Sequence, residues 1–467
     1  MKKMVSEKDM PKKVGLLAVV IMLLVLFAGS VGNGYAVPSA DLDGVGYLDF
    51  AYGNVVTAAP TGEKPESKLW WHDGSWWGVL WNLSANTYRI YQLDSDTQTW
   101  HDTGVGVDSR PDSKADVLWD PAADKLYVAS HHYTEFSKKV ADSALWARLY
   151  RYSYNQASQS YALDPGFPVN VNGDQSETLV LDKDSTGRLW VAYPSRESGS
   201  APYQVYVNAT TGAGNDAAWG TPFSLASMFP QAGIAPDDIA SLVAFSDNQG
   251  HKIGVMWTNQ LTHAVHFASR QDSNADPAAG WTLSSIPMGS VSIDDHVSVK
   301  SLATNSAGQV FGVVKTSALN ADQPLILAIA RDKDGSFSSH TYSLKAANDT
   351  RPILVIHEGD LADPTDDRLF VFVSDKDNGD RICYKTLNIT VPLSAMGDFP
   401  AGNCGTPFIE DTTYDKVDNA TSSKHNATDA SGIVVLASDD VNGQVYVHNI
   451  IEGAARASLN YIPLITK

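Results

Sequence analysis

Asp124-Lys-Leu-Tyr127-Val-Ala-Ser130 and Gly187-Arg-Leu-Trp190-Val-Ala-Tyr193 are two copies of one pattern: a turn residue, then a short apolar strand with a bulky side chain at a fixed place. Five more copies surround them. They are Gly74-Ser-Trp-Trp77-Gly-Val-Leu-Trp81, Gly250-His-Lys-Ile253-Gly-Val-Met-Trp257, Gly308-Gln-Val-Phe311-Gly-Val-Val314, Asp367-Arg-Leu-Phe370-Val-Phe-Val373 and Gly432-Ile-Val-Val435-Leu-Ala-Ser438. The bulky anchors lie 50, 63, 63, 58, 59 and 65 residues apart. Self-similarity at a near-fixed period marks a repeat architecture.

Each anchor strand follows another apolar strand, as in Lys68-Leu-Trp-Trp-His72, Ala115-Asp-Val-Leu-Trp119, Thr178-Leu-Val-Leu181 and Ser241-Leu-Val-Ala-Phe245. The turns between them carry Gly, Asp or Asn, which is hairpin chemistry. Two more strands usually follow, such as Thr87-Tyr-Arg-Ile-Tyr91 and Thr99-Trp-His101 in the first unit. Four antiparallel strands per unit, seven times over, predict an all-β fold, a seven-bladed β-propeller. The short first spacing also admits six or eight units. Helix signals are nearly absent, which excludes a parallel α/β fold. The last unit is short of one strand, and the alternating stretch Tyr47–Val56 precedes the first. The expectation is that this N-terminal strand pairs into the seventh blade and closes the ring, removing both sheet edges.

The chain of 467 residues is 43% hydrophobic and 10% aromatic, which excludes disorder. Its net charge is −19 with no basic stripe, so nucleic-acid binding, which needs a cationic footprint, is excluded as a reading. Lys2, Lys3, Lys12 and Lys13 precede an apolar run from Val14 to Ala28, and Gly34-Tyr35-Ala36 places small residues as a cleavage site would. Residues 1–36 read as a secretory signal peptide, with an uncleaved membrane anchor as the alternative. Without them, five Lys and two acids are lost and the net charge is −22. The expected organisation is a signal at 1–36, a propeller at 37–457 and a short tail at 458–467. The expected location is extracellular, and the expected state a monomer.

Secretion makes the two cysteines informative. Cys383 lies in an apparent strand and Cys404 opens the next extended segment, so a structural disulfide is expected, against two buried thiols. No metal or other cofactor is expected. His263 and His266 fall on opposite faces of a strand, and Asp332-Lys-Asp334-Gly335 and Asp375-Lys-Asp377-Asn-Gly-Asp380 lack the remaining ligand positions of a calcium loop. They read as hairpin turns.

In a propeller the first strand of each blade lines the central channel, and the segment leading into it sits on one face. Read blade by blade, those segments supply Lys64, Arg110, Asp174, Asp237-Asp238, Asp294-Asp295-His296, Arg351 and Asn419. Lys68, Lys300 and Lys424 extend the set along the inner strands. Blades six, one and two contribute cations and blades three to five carboxylates, so the channel mouth should be electrostatically split. The loops after each second strand add His131-His132-Tyr133 and Tyr193-Pro-Ser-Arg196, among others. Carboxylates, cations and rings together suit a carbohydrate, with Arg forks for carboxylate or sulfate. The alternative is a ring that pairs with itself around ordered water.

With Asp184-Ser-Thr-Gly187-Arg-Leu-Trp190 as its clearest turn, the repeat resembles the sialidase-like, Asp-box superfamily of propellers. It is similar also to a broad group of secreted bacterial seven-bladed propellers. The likeness covers roughly Tyr47 to Ile451 at the level of fold. Sialidases carry an Arg-Ile-Pro opening, two further arginines, an acid Asp and a Tyr–Glu pair. Here Arg351-Pro352-Ile353 has another order, the Asp-box spacing is stretched to Asp-x-x-Gly, and no Tyr–Glu pair stands out. Some propellers of this type are polysaccharide lyases, in which a His or Tyr base works beside an Arg that neutralises a uronate. His131, His132, Tyr193 and Arg196 are residue types that such a mechanism uses.

The resulting expectation is an extracellular glycan, anionic by the basic arc, held at a polar funnel over the channel. Binding residues would be Lys64, Lys68, Arg110, Asp174, Asp238, Asp295, His296, Lys300, Arg351 and Lys424. A lyase or glycoside hydrolase acting at the same funnel, and a protein-interaction scaffold, are the alternatives.

Overall fold

The structure is a computed structural model that describes residues 40–41, 44–56, 59–62, 65–287, 300–359, 367–389 and 392–453. The expected signal (1–36), the tail (458–467) and the ring positions Lys64, Asp295 and His296 lie outside these residues.

Seven antiparallel sheets form the seven blades of a β-propeller. The first strands are Leu69–His72, Ser113–Asp120, Val180–Lys183, Ala240–Asp247, Lys300–Thr304, Asp349–Glu358 and Val417–Thr421. Each touches the next around the channel, and the Leu69 amide donates to the Ser422 carbonyl where the circle closes. The seventh blade contains Val417–Thr421, Ile433–Asp439 and Val445–Ile451, and its fourth strand is Tyr47–Ala51 from the N-terminal side. Tyr47 pairs with His448 and Leu48 with Val447. Ring closure by that strand is thus as expected, and Ala40–Asp41 pairs along its outer side.

Local chemistry explains the repeat. Asp73 (φ 50°) and Gly74 (φ 74°) both occupy the left-handed region, giving the two-residue turn that matches strand twist. Trp77, Trp190, Ile253, Phe311 and Val435 are fully buried anchors. Trp77 meets Tyr161 of the second blade edge-on at 5.1 Å, so the anchor glues blade to blade. Gly254 follows its anchor because the Phe267 ring lies where a Cβ would go. At the Asp184 turn one carboxyl oxygen accepts from the Thr186 and Arg188 amides, and the other from Trp190 Nε1 at 2.7 Å. Asp334 and Asp375 are likewise taken up by their own turns, through Ser336 and through Asn378 and Arg381. Cys383 and Cys404 form the disulfide, with Cα atoms 5.6 Å apart, inside the sixth blade.

The channel is not open. After Thr421 the chain leaves the seventh blade and crosses the axis. Lys424 Nζ reaches Asp116 of blade two at 2.8 Å and the Leu181 carbonyl of blade three. Asn426 Nδ2 donates to the Thr304 carbonyl of blade five at 2.8 Å. Ala427 and Thr428 pair in parallel with His357 and Glu358 of blade six. Residues 422–428 therefore form a plug that touches five other blades. The space left beside it is about 10 Å³, room for one water.

Candidate functional site

Among the described residues, Lys68, Arg110, Arg351 and Lys424, expected in an open basic arc, are each paired within the fold. Lys68 is buried against Glu66 at 2.8 Å and donates to the Ala115 carbonyl. Arg110 clamps Asp108 through Nε and Nη2 and also holds the Ala144 and Trp146 carbonyls, each at 2.9 Å. Arg351 pairs with Asp418, and Lys424 with Asp116. Paired this way, these cations form the wall and plug of the channel. Lys300 opens the first strand of blade five.

The other singled-out residues divide in the same way. His131 is buried with Nε2 2.6 Å from Glu66. Burial would raise the Glu66 carboxyl, but the charges and hydrogen bonds of Lys68 and His131 overcome it and hold it down to about 2. His132 faces Gln175 at 3.0 Å, and Arg196 caps the Tyr203 ring and the Gly199 carbonyl. Asp238 accepts from the Ala235 and Gln260 amides, and burial pushes its carboxyl up to about 6. Of the four lyase-type residues, Tyr193 lines a sizeable cavity.

That cavity, about 290 Å³, lies in the cleft between the second and third blades. Its floor is Tyr193 and Tyr206, cross-strand partners with rings stacked at 5.9 Å. Trp146 from blade two and Trp219 from the last hairpin of blade three form its walls. Trp146 is fixed by its Nε1 bond to the Val140 carbonyl, whereas Trp219 Nε1 is buried with no partner. Two carboxylates line the same space. Asp174, 8% exposed, accepts from Ser195 Oγ and, at 3.3 Å, from the Tyr193 hydroxyl. Glu197, 58% exposed, accepts from the Tyr206 hydroxyl at 3.1 Å and from Lys139 Nζ at 3.0 Å.

The environments drive these carboxyls apart. Burial raises the Asp174 carboxyl from its ordinary value, despite the Ser195 and Tyr193 bonds and the Lys139 charge, which lower it. The Lys139 hydrogen bond pulls Glu197 down. The two walls of the cavity are thus shifted in opposite directions.

Asp174 and Tyr193 were singled out in the sequence; Lys139, Trp146, Glu197, Tyr206 and Trp219 were not. Their signal was local irregularity. Trp146 sits in a long connection between the second and third strands of blade two, and Trp219 in a long, polar, Gly-rich connection in blade three. Tyr206–Glu197 is also a Tyr–Glu pair that the sequence did not display, although no arginine lines the cleft. Among the described residues, the group close enough to hold a metal is Asp375 with Cys383 and Cys404, and the disulfide takes both sulfurs.

No protein-family model and no curated protein matches the chain. Solved structures with some likeness include the NanB sialidase of Streptococcus pneumoniae, 10% identical, covering 88% of this chain and 70% of that one at a TM-score of 0.41. A mutant Aleuria aurantia lectin in complex with alpha-methyl-L-fucoside is 11% identical over 74% of this chain and 96% of its own, at 0.40. The Penicillium chrysogenum alpha-L-arabinanase is 11% identical over 72% and 92%, at 0.38. None of the three shares enough of this backbone to carry a residue across.

Proposed function

We propose that the protein binds a neutral saccharide, outside the cytoplasm, in the cleft between its second and third blades. The observation that carries this reading is the 290 Å³ cavity in which two tryptophans and two stacked tyrosines meet Asp174, Glu197 and Asn172. Sugar C–H faces stack on rings, and sugar hydroxyls need acceptors beside them. The volume is at the small end of ligand pockets, which start at about 300 Å³, and suits a chain end or a disaccharide. The Glu197 carboxylate would repel a uronate or sulfate, and Lys139 is already held by Glu197. This moves the reading from an anionic glycan over the channel to a neutral one beside it. The signal-like residues 1–36 and the disulfide support an extracellular setting.

Tryptophan fluorescence titrated with neutral and anionic oligosaccharides tests this reading. Saturable quenching by a neutral sugar, lost in Trp219→Ala and little changed by salt, is expected. Binding only of anionic glycans, or binding that Trp219→Ala and Trp146→Ala leave untouched, would overturn it.

A protein-interaction scaffold has one observation in its favour. Leu83, Phe136, Leu261, Leu319 and Val441 are exposed, Leu319 by 88%, and all sit in loops that follow second strands, hence on one face. If Leu261→Glu with Leu319→Glu abolished association with a protein partner while sugar quenching stayed absent throughout, this reading would replace the first.

A further inference from the structure

Resting on the cleft as a saccharide site, we propose that it also hydrolyses a glycosidic bond, with Asp174 as the proton donor to the leaving oxygen and Glu197 as the base that activates water. Both carboxyl groups line one cavity, and each is positioned by one tyrosine of a stacked pair. Tyr193 donates to Asp174 at 3.3 Å and Tyr206 to Glu197 at 3.1 Å, from partnered positions on adjacent strands. Two residues locked in one sheet thus hold the two acids in fixed relation. Ser195 on Asp174 and Lys139 on Glu197 complete the positioning.

The two acids have the opposite settings that acid–base cleavage needs. Asp174 is almost wholly enclosed, and that burial shifts its carboxyl towards the neutral form. Glu197 is largely in water, with Lys139 favouring its anion, so it faces the nucleophile's source. The tyrosines are poor alternatives as bases, because burial and the neighbouring carboxylates raise both hydroxyls above their ordinary range. Elimination fits less well. It needs a cation free to neutralise a uronate, and Lys139 is occupied by Glu197.

The step balances with water alone. The bond from the anomeric carbon to the bridging oxygen breaks, its electron pair goes to that oxygen, and the Asp174 proton caps it. Water oxygen bonds to the anomeric carbon and gives its proton to Glu197. Solvent then returns Asp174 to its acid form and takes the proton from Glu197. Rate should peak where Glu197 is ionised and Asp174 protonated, falling on the acid side with the first and on the alkaline side with the second.

The experiment incubates the full chain with neutral oligosaccharides and 4-nitrophenyl glycosides, following reducing ends and nitrophenol, with tryptophan quenching alongside. Turnover with a bell-shaped pH profile is expected. Glu197→Gln should cut kcat about 100- to 10,000-fold and keep quenching. Asp174→Asn should lose the alkaline limb and recover most on dinitrophenyl glycosides, whose leaving group needs no proton. Because Asp174 is buried and its variant could unfold, the exposed Glu197→Gln decides alone if Asp174→Asn does not fold. Quenching by a neutral sugar with no turnover of any substrate overturns the hydrolysis and leaves the binding site standing. Neither quenching nor turnover overturns both, and full activity in Glu197→Gln overturns the assignment.

Discussion

Asp49, on the strand that closes the ring, holds His448 Nδ1 with both carboxylate oxygens at 2.9 Å across 399 residues of sequence. Both side chains are buried, and the imidazole is also stacked on Tyr47 at 5.2 Å and bonded through Nε2 to Gln98 of the first blade. Ring closure is therefore made by a polar clasp as well as by a strand ladder. Removing one partner strands the other in a dry site, at about 3–5 kcal/mol. His448→Ala should lose that much in urea melts, whereas the surface change Lys333→Ala should lose less than about 0.5 kcal/mol.

Acid should unlock the channel wall at Glu66. Its folded pKa of about 2 is below the ordinary 4.5. A depressed carboxyl contributes stability that is present above its unfolded pKa and lost as pH falls through the folded one. Glu66→Gln should cost about 3 kcal/mol near neutrality. That gap should narrow between about pH 4.5 and 2, which denaturant melts over this range would measure.

Asp349 should behave with the opposite sign. It is fully buried, and burial, with Asp375 and Asp377 nearby, outweighs Ser343 and Lys385 and raises its carboxyl from 3.8 to about 7. A raised carboxyl destabilises the fold progressively as pH climbs from the unfolded to the folded value. Asp349→Asn should stabilise the protein at pH 8 by up to about 4 kcal/mol and by little at pH 4. Equal melting curves at pH 8 would refute this.

Arg110 and Arg351, alike in the sequence, should part in the test tube. Arg110 clamps a buried carboxylate and two carbonyls of the neighbouring loop, so Arg110→Ala should cost about 3 kcal/mol. Arg351 is 40% exposed on Asp418, and Arg351→Ala should cost under about 1 kcal/mol. Chemical denaturation of both variants is the check.

The sequence disclosed the repeat because each blade must bury one bulky anchor between its neighbours, so Trp77, Tyr127, Trp190, Ile253, Phe311, Phe370 and Val435 recur in step. It disclosed the closing strand because the last unit was one strand short. It concealed the fate of the cations, although partners stood two residues away in Glu66 for Lys68 and Asp108 for Arg110, on the same face of an extended chain. The cleft was least legible. Its walls come from two blades and from connections whose lengths do not repeat, so no period could bring Trp146, Glu197 and Trp219 together before the chain was folded.

The pairing of Tyr47 with His448 also means that the ring has no true first blade. A circular permutant that joins the paired strands Val445–Ile451 and Tyr47–Ala51 through a linker, and is cut instead at the exposed Asp94–Thr97 turn, would thread the same seven blades in a different order. Strands far apart in the sequence thus serve one blade as neighbours, so blade order along the chain is separable from blade order around the ring.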